Sequence, residues 1–303
     1  MTRLTKATFG GNFSKEFDYQ SISANASIAS DFNQRNTTLS AGLSLSSDTI
    51  SPIGGIPIPF ADMAAAGTTQ PRGDADDSRT TTDLLFGLTQ VVNRRTIMQF
   101  NYSLGNSSGY HTDPFKIITV ADGTTGLNVS SIIPGNTLDR YVYENRPEDR
   151  TKQSFFWQTK HHFNKDIVDV SYRYFWDDWG ITSHTVDFHY RWRFLESKSY
   201  VEPHVRLYSQ TAADFYSHSL IDGQVPTSAT QYASADYRLG EFDNLTLGIK
   251  YGKVLQSGNE FSFRFEVITT TGDSNPADAV GEQKNQDLFP TIDAIVGQFS
   301  YNF

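Results

Sequence analysis

The stretch His184-Thr-Val-Asp-Phe-His-Tyr-Arg-Trp-Arg-Phe194 changes character at every step. Val186, Phe188, Tyr190, Trp192 and Phe194 fall on one side, and Thr185, Asp187, His189, Arg191 and Arg193 on the other. Successive side chains of a β-strand point to opposite faces, so this stretch predicts a strand with one apolar, aromatic face and one charged face. A helical period near 3.6 would mix the two sets.

The same alternation flanks it. Asp166–Trp176 sets Val168, Val170, Tyr172, Tyr174 and Trp176 against Asp169, Ser171 and Arg173. Tyr200–Gln210 sets Val201, Pro203, Val205 and Leu207 against Glu202, His204 and Arg206. Further out, Thr96–Leu104, Phe155–Phe163, Leu245–Tyr251 and Phe261–Val267 alternate in the same way. Weaker versions built from small residues run through Ala7–Phe13, Ile22–Phe32, Thr37–Leu45 and Leu84–Gln90, and Phe299, Tyr301 and Phe303 close the series. That predicts about twelve strands, each near the length a tilted strand needs to cross a bilayer.

The spacing of these strands carries a second signal. Short turns are expected at Asp31–Asn36, Val92–Arg94, Asn164–Asp166, Leu195–Ser199 and Leu255–Glu260. Between them lie long connections at 48–78, 105–150, 211–244 and 271–290, with short ones only at Ser14–Gln20 and Asp177–Ser183. Short turns at one end and long loops at the other are the pattern of a bacterial membrane barrel. Tyr232–Leu239 alternates weakly but belongs to a long loop, because a strand there would put the last strand on the wrong side. The apolar content of 105–150 (Tyr110, Phe115, Ile117, Ile118, Ile132, Ile133) predicts that this loop folds, into the barrel mouth or against a partner.

The two faces choose between a soluble and a membrane sheet. About eight strands already close a barrel whose side chains fill it, so twelve leave an interior too wide for an apolar core. The arrangement that fits is inverted: apolar face to lipid, charged face to the lumen. Only 38% of the 303 residues are hydrophobic, and no apolar run approaches a membrane helix, as expected where the two faces average out. The reading is therefore an all-β chain, a single transmembrane antiparallel up-and-down β-barrel domain over 1–303. The net charge of −9 argues against nucleic acid as a partner. The absence of cysteine fits an exported protein without requiring one. Residues 1–20 hold no charged segment followed by an apolar core, so either a signal segment has been removed or the chain begins within a longer precursor, and Met1 need not be the natural start.

The ending Gly297-Gln-Phe-Ser-Tyr-Asn-Phe303 resembles the carboxyl-terminal signature of outer-membrane barrels that the insertion machinery reads. More specific strings follow from Arg79 onward. They are Arg79-Thr-Thr-Thr-Asp83, Gly87-Leu-Thr-Gln-Val91, Ser108-Gly-Tyr110, Asp113-Pro-Phe-Lys116, Glu144-Asn-Arg-Pro147 and Ser171-Tyr-Arg-Tyr174. Trp179-Gly-Ile-Thr-Ser-His-Thr185, Tyr208-Ser-Gln-Thr-Ala-Ala-Asp-Phe-Tyr216 and Ser234-Ala-Asp-Tyr-Arg-Leu239 complete them. Together they resemble a family of bacterial outer-membrane barrels known as a domain of unknown function (DUF3570). The resemblance implies an outer-membrane location and a barrel, and no activity. Members of that family usually carry further strands before this region, which implies fourteen or sixteen strands in an intact barrel.

Chemistry, on this reading, belongs to the lumen. Asp169, Arg173, Asp187, His189, Arg191, Arg193, Glu202, His204 and Arg206 lie on three adjacent strands and form a belt of both signs if the registers agree. Such a belt is either a selecting constriction or an internal salt-bridge network that holds the barrel shut. His161 and His162 point to opposite faces and cannot share a metal. His189 and His204 could approach each other, but the sequence places no third ligand beside them, so no metal or other cofactor is expected. Asp74, Asp76 and Asp77 lack the spacing of a calcium loop, and Asp177-Asp-Trp-Gly180 reads as a tight turn with an interfacial Trp. No serine can be placed beside Asp187 and His189, so no enzyme is expected. The expected function is a pore for small polar solutes, with a closed barrel anchoring surface or periplasmic proteins as the alternative. The expected partners are outer-membrane lipid and lipopolysaccharide, the insertion machinery through Phe303, and a protein at the long outer loops.

Overall fold

The computed structural model describes residues 4–194 and 198–303. Alternating residues with β-branched and aromatic side chains make extended strands, and each hands over to the next through an antiparallel connection. In chain order the strands are β1 (Thr5–Lys15), β2 (Tyr19–Phe32), β3 (Thr37–Ile50), β4 (Asp77–Asn93) and β5 (Thr96–Gly109). Then come β6 (Ile117–Ala121), β7 (Tyr141–Tyr143), β8 (Asp149–His162), β9 (Ile167–Asp177) and β10 (Thr182–Phe194). The last five are β11 (Ser199–Gln210), β12 (Ser219–Ile221), β13 (Phe242–Val254), β14 (Glu260–Gly272) and β15 (Ile292–Asn302). Twelve of them form one sheet in the order β1-β2-β3-β4-β5-β8-β9-β10-β11-β13-β14-β15. Among the described residues β1 and β15 are its two edges, and no pairing joins them. Among the described residues no helix is long and apolar enough to cross a membrane.

Every strand read from alternation is present. Several run further than alternation marks them: β3 extends to Ile50, β4 begins at Asp77 and β5 ends at Gly109. The added residues are mostly Ser, Thr, Asp and Gly, polar on both faces, so period two has nothing to show there. The long connections accordingly shrink to 51–76, 110–148, 211–241 and 273–291, all at one end with the short turns 16–18 and 178–181. The expected turn Leu195–Ser199 lies in part outside the described residues.

The sheet is inside out. Phe9, Phe13, Phe188, Trp192, Leu247, Ile249, Phe263, Phe265 and Phe299 are all exposed, while Ser107, Thr246, Ser262 and Glu266 on the opposite face are buried. Water would penalise such a surface, and a hydrocarbon layer would favour it. Aromatic contacts mark both rims of the apolar band. Tyr174 and Trp176 stack at 5.2 Å toward the long-loop end. At the other end Trp192 meets Phe194 at 5.6 Å, and Tyr251 meets Phe261 at 6.2 Å.

The apolar core lies elsewhere, in the long loops. β6 pairs antiparallel with β7 and parallel with β12. This small sheet packs Phe60, Ile118, Val120, Val142 and Ala233 together. The loops thus fold as a cap over the sheet's inner face.

Candidate functional site

Strand parity decides which charges meet. His189 on β10 lies opposite Asp169 on β9 and His204 on β11, and Asp187 lies opposite Arg206. Directly opposed residues of an antiparallel pair bring their Cβ atoms to about 4.5–5.5 Å. The imidazole rings of His189 and His204 accordingly stack at 4.0 Å with an interplanar angle of 6°. Asp187, two residues before His189 and therefore on its face, reaches both rings: Oδ1 is 2.9 Å from His189 Nε2, and Oδ2 is 3.3 Å from His204 Nε2. Arg191 Nε donates to Glu202 Oε2 at 2.5 Å, and the other Glu202 oxygen lies 3.6 Å from His189 Nδ1.

All nine residues expected on the lumen face share one face of the sheet, but they do not form one cluster. Asp187, His189, Arg191, Glu202 and His204 do, with Arg206 at its margin, 4.0 Å from Asp187. Asp169 turns instead to Lys160 on β8, at 2.9 Å, and to Gln158. Arg173 lies over the Phe156 ring, 5.6 Å from its centroid. Arg193 meets Asp166 through its backbone N–H. One further member joins the cluster from β14: Glu266, whose Oε1 is 2.8 Å from His204 Nδ1 and 3.7 Å from Arg264. The alternation of Phe261–Val267 already put Glu266 and Arg264 on the polar face; the adjacency of β13 and β14 to β11 brings them in.

A second charged cluster sits in the cap. Arg146 Nη2 donates to Glu144 Oε1 at 2.7 Å and to Asp236 Oδ2 at 2.9 Å. Glu144 and Asp236 are 1% exposed and Arg146 is 7% exposed. The Ser234 hydroxyl donates to the other Glu144 oxygen, and the Lys116 backbone N–H donates to Oε1. Arg238 Nη2 donates to the same Asp236 Oδ2 at 2.5 Å, and its Nε donates to Oδ1 at 3.0 Å. Burial works to raise the Asp236 pKa, but the Arg238 hydrogen bonds and the charges of Arg146 and Arg238 outweigh it, and the pKa ends below the usual carboxylate value. Asn145 and Ala233 exchange both backbone hydrogen bonds at 3.0 Å, tying the two loops together beside the ion cluster.

Between this cap and the inner face of the sheet lies a chamber of about 630 Å³. Arg79, Arg150, Lys152, Arg173 and Arg206 line it from the sheet, and Arg146 and Arg238 from the cap. Only Asp113 and Asp236 line it with negative charge. One cavity bounded by β4 at one side and β11 at the other requires the sheet to curl. Arg79, Arg150, Arg146 and Arg238 each have a carboxylate partner at 2.5–3.1 Å. Among the described residues no carboxylate lies within ion-pair distance of Lys152 or Arg173, so the chamber carries an excess of positive charge. In its wall the His111 Nδ1–H donates to the Gly109 carbonyl at 2.8 Å, and Nε2 lies 2.7 Å from the Ser107 hydroxyl. Burial lowers its pKa against the Gly109 bond, and the charges of Arg79, Arg150 and Lys152 add to the lowering. Burial raises the Asp113 pKa from its ordinary value.

The sequence profile of the family described as Protein of unknown function (DUF3570) matches residues 1–303. The chain belongs to the DUF3570 family. Comparison with curated proteins finds no match. Solved structures similar to the DUF3570 chain include CdiB from Acinetobacter baumannii, with TM-score 0.41 and 11% identity over 89% of this chain and 45% of that one. They also include a Pseudomonas aeruginosa FadL homologue (TM-score 0.40, 12% identity, 99% and 73% covered). A third is OmpT, an outer membrane protein of Vibrio cholerae (TM-score 0.36, 8% identity, 98% and 99% covered). The DUF3570 chain thus spans less than half the length of CdiB. At these scores the similarities carry no argument about the site.

The strings that carry the family resemblance meet around the chamber of the DUF3570 chain. Glu144-Asn-Arg-Pro147 and Ser234-Ala-Asp-Tyr-Arg-Leu239 supply the buried ion cluster. Gln210, from the string that ends at Tyr216, donates to the Arg238 and Gly240 carbonyls. Trp179 was expected at a membrane interface but is 4% exposed: its Nε1–H donates to the Asp149 carbonyl, and the Arg150 guanidinium lies over its ring at 4.1 Å. The turn around it buries it because Asp177 Oδ1 accepts the Trp179 and Ile181 backbone N–H groups and folds the ring back onto the cap. Arg72, in the loop between β3 and β4, lies 4.7 Å from the centroids of both Phe115 and Tyr143. Loop-to-loop contacts of this kind have no period for a sequence to display.

Proposed function

We propose that this protein is an integral barrel of the bacterial outer membrane that admits small polar solutes, anions above all, through a chamber roofed by its long loops. One observation carries the reading: a 630 Å³ chamber on the inner face whose lining includes Lys152 and Arg173, cations that have no carboxylate at ion-pair distance among the described residues. Rings of cationic side chains select anions at close quarters. Arg146 Nε, buried at the chamber's edge with no hydrogen-bond partner, is a donor that a bound anion would satisfy. In this reading lipid and lipopolysaccharide cover the outward apolar face, and Phe303 with Tyr301 and Phe299 addresses the chain to the insertion machinery. Deleting Phe303 should then slow assembly in reconstituted membranes, and an unchanged rate would refute that part. Planar-bilayer recording tests the pore: anion-selective steps are expected from the folded barrel, and cation selectivity would sink the proposal.

A second reading has its own support. Leu127, Ile132 and Leu138 are exposed on the cap, away from the chamber. A barrel that anchors a partner protein would present such residues at its long-loop end. Co-purification of a stable partner from native membranes, lost on Ile132→Asp, would favour it over the pore.

A further inference from the structure

The His189–His204 stack has a geometry that an ordinary salt-bridge network does not require. Each ring presents Nε2 to the same carboxylate, Asp187, and each turns Nδ1 toward a carboxylate of its own. His204 Nδ1 lies 2.8 Å from Glu266, and His189 Nδ1 lies 3.6 Å from Glu202. Metal-binding histidines are built this way, with one ring nitrogen for the ion and the other N–H donated to an outer carboxylate that fixes the ring. One ligand atom from each of Asp187, His189 and His204 falls within 4.8 Å of the other two. The Asp187 oxygens already lie 2.9 and 3.3 Å from the two Nε2 atoms, within the span of two bonds of about 2.0–2.2 Å, and binding would require the two parallel rings to rotate about their side-chain bonds so that both lone pairs face one ion.

We propose that Asp187, His189 and His204 form a site for one divalent transition-metal ion, held by two imidazoles and a carboxylate on the inner wall. That donor set suits zinc, copper, nickel or cobalt rather than calcium or magnesium. Three protein ligands leave at least one coordination position open, and a cavity of about 170 Å³ lined by His189, His204, Glu202 and Glu266 lies beside it. The ion's remaining ligand is therefore water or a small solute from the lumen. The surrounding arginines neutralise the outer carboxylates rather than the site: Arg191 pairs with Glu202 and Arg264 with Glu266. Arg206 alone approaches the ligand Asp187, at 4.0 Å, and its side chain is half exposed. The proposal stands whether or not the chamber conducts.

The test uses the tag-free full chain, refolded in detergent, stripped with a chelator and checked for a heat-modifiable gel shift. Cobalt(II) serves as the spectroscopic probe and zinc(II) as its competitor. The expected result is saturation at one equivalent, with visible absorption bands that zinc abolishes. His189→Gln and His204→Gln should each remove the bands. Glu266→Gln keeps all three ligands and should weaken binding roughly 10–100-fold. Arg206→Ala should tighten it. X-ray absorption on the wild-type zinc form reads the ligands without any variant and should report two imidazoles. Folded wild-type protein with no saturable uptake, a spectrum without imidazole scattering, or uptake unchanged in both histidine variants would each overturn the site.

Discussion

The two charged clusters of this protein are made of the same residue types and behave as different materials. In the cap, Glu144, Arg146 and Asp236 are sealed from solvent and held by loops that cross from positions some ninety residues apart. On the inner wall, Asp187, His189, Arg191, Glu202 and His204 stand on neighbouring strands and stay partly exposed, from 12% for the His204 side chain to 32% for that of His189. A sealed ion cluster is costly to form, and each member depends on every partner being present. A partly exposed one keeps some contact with solvent, which screens its charges and lowers what each pair contributes. The cap cluster therefore holds a shape, and the wall cluster is the more tolerant of change.

The largest expected effect follows from breaking the sealed cluster. Arg146→Met leaves buried Glu144 without a cationic partner and Asp236 with Arg238 alone, and should cost the cap about 3–5 kcal/mol. Hydrogen exchange should speed up through 141–146 and 233–239 while the sheet keeps its protection. Equal acceleration in both would show that cap and sheet are one cooperative unit.

Next in size is Gly180→Ala, in the turn that seats the cap's Trp179. Gly180 has φ +84, and an added Cβ would sit 2.2 Å from Asp214 Oδ1. Asp214 can swing aside, but the left-handed backbone strain remains, about 1–2 kcal/mol. The onset of the heat-modified gel shift should fall, with the wall cluster's behaviour unchanged.

Truncating the open cluster should do less to stability. Glu202→Gln should cost less, about 1.5–3 kcal/mol, the usual worth of a hydrogen bond to a charged group. Its effect should appear in single-channel conductance instead. A stability loss as large as that of Arg146→Met would erase the distinction between the clusters.

Acid should separate the regions in the same sense. The folded cap favours neutral His111, so its contribution is present above the ordinary value of 6.5 and is lost as the pH falls below it. Asp236 is held ionised, so its contribution is present above 3.8 and is lost below that. Amide exchange in the cap should rise in two stages on acidification while that of the sheet holds. The smallest effect belongs to Ile132→Ser: Ile132 is exposed on the cap, and the change should stay within about 0.5 kcal/mol in either direction.

The contrast also explains what the sequence could disclose. The wall residues share a face because parity is a local rule, readable in Val186–Phe194 without any partner strand. Glu266 was readable in the same way, but its closeness to His204 depends on β13 contributing Gly248 between them, where no side chain intervenes. The third ligand candidate, Asp187, was on the page as a face-mate of His189; the convergence of both rings on it was not, because it needs the His189–His204 register. The cap was foreshadowed only by the apolar residues of its longest loop. The pairing of Glu144 with Ser234 and of Arg146 with Asp236 obeys no period, and only the folded chain displays it.

The measurement that tests the central claim most directly is the reversal potential of single channels under a salt gradient, recorded for the wild type and for the Lys152→Gln/Arg173→Gln double variant. An inner chamber ruled by its unpaired cations predicts anion selectivity in the wild type and a marked loss of it in the double variant. Cation selectivity in the wild type, or selectivity that ignores the double substitution, would contradict the account.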